Sequence, residues 1–333
     1  MFEGLWKELG EGFGKRWLLT VFGPALLFWG ACLLVYVDLT GWVEALTWWE
    51  SRVPSVQTAL LAGALAVVAF TAILLEQLTT PIARLFEGYW PWPLRWLARW
   101  LSRRRGEGLK KKQQRFSQLK LKELPAQATD KDRAEALRLD AELGHRPPDP
   151  ALAMPTALGD VLRAAEDYPR RRYGLDPVVT WPRLYPSLGE TLRGALAETR
   201  SNMDVLLRVT TLSLIFAIGW GIGLGIARHT LLLAGVVAGG LAIALLSCVG
   251  ATQAAAVYGD LLRAAFDLHR FDLYQSLHWP LPSSWQAEKP APAGQAPTHG
   301  QALSEFLYRG LGVQDVVYEH PSARHSEPER SGG

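Results

Sequence analysis

The residues that could carry out chemistry are few and poorly spaced for it. Seven histidines stand at positions 145, 229, 269, 278, 299, 320 and 325 of this 333-residue chain. They form no His-Glu-x-x-His pair and no spacing that places two imidazoles on one helical face. The densest group is Asp267-Leu-His269 with Asp272. Its neighbours Asp260, Arg263 and Arg270 fall at i,i+3 and i,i+4, the pairing of a solvated helix surface rather than of a metal site. Gly10-Glu-Gly12-Phe-Gly14-Lys15 has the glycines and lysine of a phosphate loop. It lacks the four-residue gap, the Ser/Thr after the lysine and a preceding strand. No Gly-x-Ser-x-Gly nucleophile turn is present either. Cys32 and Cys248 are the only cysteines, and both fall in apolar stretches. That excludes a disulfide framework and a cysteine-based metal site. The residues therefore predict no catalytic site, no cofactor and no metal.

What dominates the chain is four apolar stretches, Trp17–Val37, Val56–Leu75, Val209–Ala227 and Leu231–Val257, each free of charge over its central turns. A hydrocarbon core of about 30 Å needs roughly 20 helical residues to cross it. Lipid offers the backbone no hydrogen-bond partner, so each stretch is expected to be a helix. The mean hydropathy of +0.04 hides this, because it averages the spans with a basic remainder.

Charge placement predicts orientation. From Arg84 to Lys122 there are twelve Lys/Arg against Glu87 and Glu107, and Lys7, Lys15 and Arg16 precede span one. The loop between spans one and two has Asp38, Glu44 and Glu50 against only Arg52. Basic residues resist translocation, which puts both termini and the central region in the cytoplasm. The Arg228-His229 turn is one small dissent. No cleavable signal peptide is expected, since the first apolar run is too long and no small-residue cleavage site follows it.

Phe2, Leu5, Trp6, Leu9 and Phe13 recur at near-helical spacing, predicting an interfacial amphipathic helix before span one. Trp42, Trp48 and Trp49 stand where indoles settle at headgroup level. After span two, Pro91 and Pro93 punctuate the chain. The run Leu94–Arg105 then places Trp96 and Trp100 beside Arg95, Arg99 and Arg103, followed by Arg104 and Arg105. Such a helix is expected to lie on the inner leaflet, indoles buried and guanidiniums at phosphates. Anionic lipid is the expected partner; nucleic acid, which also attracts basic and aromatic residues, is disfavoured next to a membrane span.

The central region reads as helical. Residues 106–122 are polar and helical in pattern. Thr129 with Asp132 signposts a second helix that stops at Gly144, and Pro147, Pro148, Pro150 and Pro155 make a linker. Thr156 caps a third helix with Leu158, Val161, Leu162 and Ala165 on one side, expected to stop at Tyr168-Pro169. Asp176-Pro177 reads as a cap, Trp181–Pro186 as an aromatic loop, and Ser187 with Glu190 as a capping box for a long helix into span three. Arg170, Arg171, Arg172 and Arg183 are candidates for contact with a cytosolic protein or a small anion, because planar guanidiniums take bidentate anions. The stretch Leu162-Arg-Ala-Ala-Glu-Asp-Tyr-Pro-Arg-Arg-Arg-Tyr-Gly-Leu-Asp176, followed by Trp181-Pro-Arg-Leu-Tyr-Pro186, resembles segments of uncharacterised bacterial multi-pass membrane proteins in which it likewise precedes a membrane helix. The resemblance covers about 30 residues and implies no activity.

Spans three and four carry small residues at four-residue spacing: Gly219/Gly223, Gly221/Gly225, Gly235/Gly239, Ala238/Ala242 and Gly240/Ala244. Such pairs let helix backbones approach in lipid. They predict a tight hairpin, together with packing on spans one and two or on another copy. The spans contain no mid-membrane ionisable group, and Glu76 and Arg208 fall at cytoplasmic ends, which argues against a proton relay. Trp29 and Trp220 are candidates for a pore constriction.

The expected fold is all-α: a four-helix transmembrane bundle with a small helical cytosolic region between spans two and three. Its parts are an interfacial helix at 1–16, membrane helices one and two over 17–83, and a basic cytosolic region over 84–203. Membrane helices three and four follow over 204–258, then a cytosolic helical extension over 259–286 and a flexible tail with one short helix over 287–333. The expected role is a non-enzymatic component of the bacterial cytoplasmic membrane, homo-oligomeric and channel-like or effector-like, responding through its basic region. A scaffold that recruits cytosolic partners is the alternative, and a lipid-modifying enzyme the third.

Overall fold

The computed structural model describes residues 17–123, 129–227, 230–292 and 294–310. The interfacial helix expected at 1–16, the Arg228-His229 turn and the tail from residue 311 lie outside them. Among the described residues every regular element is helical. Four helices are long and apolar enough to cross a membrane: Leu18–Thr40, Pro54–Gln77, Glu190–Ile226 and Leu231–Ser276. The shortest, 23 residues, extends about 35 Å at 1.5 Å per residue, more than a hydrocarbon core requires. This is an all-α membrane protein.

Span one opens with a π-helical turn, Leu18–Phe22, and continues as α1, Gly23–Thr40. Gly41 takes a positive φ of 93° and turns the chain into the short α2, Trp42–Glu50. Span two is α3, Pro54–Gln77, with proline at its first position, where a missing N–H costs nothing. A short α4, Thr79–Glu87, leads through a turn to α5, Arg95–Glu123. Then come α6, Asp130–Gly144; α7, Ala157–Tyr173; α8, Pro177–Leu184; α9, Glu190–Ala227; α10, Thr230–Ser276; α11, Trp285–Glu288; and α12, His299–Arg309.

The helix starts follow their caps. Thr129 and Asp132 close a reciprocal capping box on α6, the Thr156 hydroxyl accepts from the Gly159 N–H at the start of α7, and the Asp176 carboxylate accepts from the Val178 N–H at α8. Other expectations fail. The helix predicted to stop at Tyr168-Pro169 runs on to Tyr173: proline's fixed φ is itself helical, and neighbouring structure outweighs the lost N–H bond and the clash of its ring with the preceding turn. Trp181–Pro186 is not an aromatic loop: α8 carries Pro182 within it, and a 3-10 turn, Tyr185–Ser187, follows. Ser187 does not form a capping box. Its hydroxyl donates to the Leu184 carbonyl, and α9 begins at Glu190.

The chain packs as two compact units, one of Met1–Arg163 with Leu196–Gly259 and one of Ala164–Ala195 with Asp260–Gly333. In the first, spans one and two meet through Leu18, Val21, Phe22, Ala25, Val68 and Ala72. A second core joins Ala83 of α4 and Leu158, Val161 and Leu162 of α7 to Met203, Leu207, Ala251 and Ala255 of spans three and four. This core puts α4 and the start of α7 in one compact unit with the spans. Gly159 is required at that contact: any Cβ there would overlap the Glu87 carbonyl oxygen.

In the second unit, Leu175, Leu184, Phe266, Leu273, Tyr274 and Leu303 are fully buried. The Ser304 hydroxyl of α12 accepts from the Asp176 N–H at 2.8 Å and donates to the Gly300 carbonyl.

Candidate functional site

Arg208 is the most heavily buried cation of the spans, 7 % exposed on α9. It donates Nη1 to the Thr20 carbonyl at 3.0 Å and Nη2 to the Thr79 hydroxyl at 2.8 Å. Thr20 lies in the π-helical turn of span one, and such turns collect at functional positions. Thr79 opens α4 and donates in turn to the Leu75 carbonyl. Beside them, the Trp17 indole donates to Glu76 at 2.9 Å. Asp204, one helical turn before Arg208, and Glu76 are its counter-charges. Arg208 Nε is buried without a hydrogen-bond partner among the described residues. One guanidinium thus ties together the entrance of span one, the end of span two and span three.

Next to this junction, spans one, three and four flank an apolar groove of about 490 Å³. Phe28, Phe216, Gly235 and Gly239 line it, with Ser213 as its one hydroxyl. The expected packing glycines divide into two groups. Gly221 is covered, since a Cβ there would stand 3.2 Å from Val237, whereas Gly219, Gly223, Gly225, Gly235 and Gly239 have nothing within 4 Å of that position. The tight contact of the hairpin is at Gly240, where a Cβ would come within 2.9 Å of the Ala217 Cβ. Trp29 donates to the Thr71 hydroxyl at 3.0 Å, joining spans one and two. Trp220 is half-buried. Neither indole lines the groove. On the far side of span one, Tyr36, Glu44, Trp48 and Trp49 line a second groove of about 410 Å³ between α1 and α2, and Arg52 lies over the Trp48 ring.

Asp160 organises the helices after span two. It is 3 % exposed, and its Oδ2 accepts from Arg105 at 2.6 Å and Arg146 at 2.8 Å while Oδ1 accepts the Met154 N–H at 2.7 Å. Arg105, expected at the lipid surface with its neighbours, is therefore engaged by Asp160. Arg95, Trp96, Arg99, Trp100, Arg103 and Arg104 are exposed. Lys112 pairs with Glu142, holding that carboxyl below its ordinary range, and Arg115 pairs with Glu135.

The second unit holds an aromatic and charged cluster. Tyr168 donates to Asp267 at 2.9 Å, Tyr173 donates to the same carboxylate, and Arg270 pairs with the buried Glu288 at 2.6 Å. Burial, and then the hydrogen bond to Asp267, push both phenols above the ordinary tyrosine range. The candidate anion-binding arginines have internal partners: Arg170 with Asp176, Arg171 with Asp167, Arg172 with the Tyr173 hydroxyl, and Arg183 with the Val179 carbonyl. Arg170 and Arg171 keep about half of their side-chain surface in solvent, so an anion would have to compete with carboxylates already in place.

The position of Arg208 at a span end is legible in the sequence; its role is not. Its partners, a carbonyl in a π-turn and a hydroxyl in α4, leave no periodic trace. Asp160 stands in the first turn of α7, and an acid there beside basic helices is the one signal of this junction that the sequence carries. Among the described residues no three His, Cys, Asp or Glu side chains gather as a metal set. Comparison with known protein families, with curated proteins and with solved structures finds no match.

Proposed function

We propose that this chain is a non-enzymatic component of the bacterial cytoplasmic membrane that assembles with copies of itself through spans three and four, as a channel-like or effector assembly with both termini in the cytoplasm. The observation that supports it most is the set of uncovered glycines, Gly219, Gly223, Gly225, Gly235 and Gly239, on helices whose tight mutual contact is made elsewhere, at Gly240. Only 17 to 28 % of each span's apolar window is covered within the chain, which leaves room for a second helix surface. Small residues at such faces lower the distance of approach between helices, and in lipid that packing replaces the hydrophobic drive. The basic stretch from Arg84 to Lys122 supports the orientation, and reporters placed on residues 106–203 and on either terminus test it by reporting one side or two.

Cysteine cross-linking in native membranes tests the assembly. With Cys32→Ala and Cys248→Ala removing the native thiols, Gly223→Cys is expected to form a disulfide between copies under mild oxidation. Absence of a dimer band from Gly223→Cys, Gly219→Cys and Gly239→Cys alike rejects it. The half-exposed guanidiniums of Arg170 and Arg171 favour a second reading in which the assembly is a scaffold for cytosolic partners. Reconstituted liposomes separate the two, since only a channel-like assembly conducts.

A further inference from the structure

We propose that the first three turns of α5, with the turn before them, form a docking surface for the headgroups of anionic lipids in the adjoining leaflet. The helix divides lengthwise. At about 100° per residue, Trp96, Arg99, Trp100, Arg103 and Arg104 fall within one half of its circumference, and all are exposed. Leu97, Ala98, Leu101 and Arg105 fall on the opposite half and are partly buried, with Arg105 turned to Asp160. Trp92, just ahead of the helix, is 81 % exposed and Trp96 66 % exposed.

The charge on this face is one-sided. Between Gly88 and Gly106 there is no Asp or Glu. Arg95, Arg99, Arg103 and Arg104 make no ion pair with the described carboxylates, while basic residues further along α5, Lys112 and Arg115, find Glu142 and Glu135. Arg104 lies over the Trp100 ring at 4.4 Å, so cation and indole present one combined surface. Three indoles beside four guanidiniums without a carboxylate partner among the described residues match the boundary between acyl chains and phosphates, where aromatic rings settle and each cation gains from negative surface charge.

The position in the chain selects lipid over a soluble polyanion. Only α4 and a short turn separate this face from span two, so anionic headgroups are its nearest concentrated negative charge. The inference does not rest on self-assembly: a monomer would dock as well.

The test uses the full-length protein in nanodiscs of phosphatidylcholine alone or phosphatidylcholine with phosphatidylglycerol, and follows hydrogen–deuterium exchange of the peptide spanning residues 90–105. Phosphatidylglycerol is expected to slow its exchange by on the order of tenfold or more, tenfold being the scale of one or two surface cations, and high salt to reverse the effect. The combined variant Arg95→Gln, Arg99→Gln, Arg103→Gln and Arg104→Gln is expected to exchange equally in both lipids. Peptides of α6 and α7 report whether that variant keeps its fold; if it does not, the wild-type comparison between the two lipids decides. Equal exchange of the wild type in both lipids overturns the proposal, as does protection that depends on protein concentration and not on lipid charge.

Discussion

Arg208 of span three donates to the Thr20 carbonyl at 3.0 Å, so a guanidinium on one helix closes the widened turn that opens another. The same side chain reaches the Thr79 hydroxyl at 2.8 Å. Spans one, two and three are thereby held at one end by directional bonds, whereas along their lengths they are held by apolar packing. Packing tolerates sliding; a forked, charge-assisted bond does not.

Replacing Arg208 should loosen this end selectively. Arg208→Leu removes two hydrogen bonds to a charged group, each worth about 1.5–3 kcal/mol. Hydrogen exchange is expected to rise in residues 17–25 and 76–82 and to stay unchanged in α8 and α12. Arg208→Lys keeps the charge without the planar fork and should fall between the two. A uniform loss of protection across the chain would show that Arg208 has no local role.

Asp160 anchors α5, α7 and the linker between α6 and α7 through Arg105, Arg146 and the Met154 N–H. Asp160→Ala leaves two arginines without their buried counter-charge. Breaking such a pair costs about 3–5 kcal/mol. Thermal unfolding in detergent should show that loss, and Asp160→Asn, which keeps the acceptor for Met154, should recover part of it. An unchanged melting temperature for Asp160→Ala would remove Asp160 from the framework.

The hairpin of spans three and four depends on Gly240. A larger residue there would press on the Ala217 Cβ and on the Ser213 carbonyl, and in a close-packed interface such overpacking costs about 1–3 kcal/mol. Gly240→Leu should lower thermal stability by that amount, while Gly223→Leu, at an open position, should leave the stability of the single chain within about 0.5 kcal/mol. Equal destabilisation by both would show that Gly223 is also an internal contact.

Tyr168 and Tyr173 meet Asp267 with Arg172 and Arg270 alongside. Their folded-state values are raised, through burial first and the Asp267 hydrogen bond second. The folded state therefore favours the neutral phenol. This stability is fully present below the ordinary tyrosine range and is lost as pH rises through the elevated folded values. Alkaline unfolding followed by circular dichroism should be shallower for Tyr173→Phe than for the wild type. An identical alkaline profile would show that the fold does not favour the neutral form of Tyr173.

Much of the fold was legible in the sequence because membrane spans announce themselves by length and by the absence of charge, as Leu18–Thr40 and Pro54–Gln77 do. Caps at Thr129, Thr156 and Asp176 were legible because a side chain satisfying a helix's first N–H groups acts locally. Pro169 and Pro182 misled, since proline is excluded from a helix interior only by the one bond and the one clash it brings, and neighbouring structure outweighed both. The two polar junctions were hidden for a different reason. Arg208 with Thr20, and Asp160 with Arg105, are separated by 188 and 55 residues, and no local pattern encodes a partner so distant. The glycines of spans three and four were visible as a repeat, but which of them were covered depended on the helix rotation that Gly240 sets.

The most direct test of the account is the mass of the full-length protein in lipid nanodiscs. Self-assembly predicts an integer multiple of the 36.8 kDa chain for the wild type and a shift toward a single chain for Gly223→Leu, with the fold of that variant intact. A wild type that remains a single chain at every protein-to-lipid ratio would contradict it.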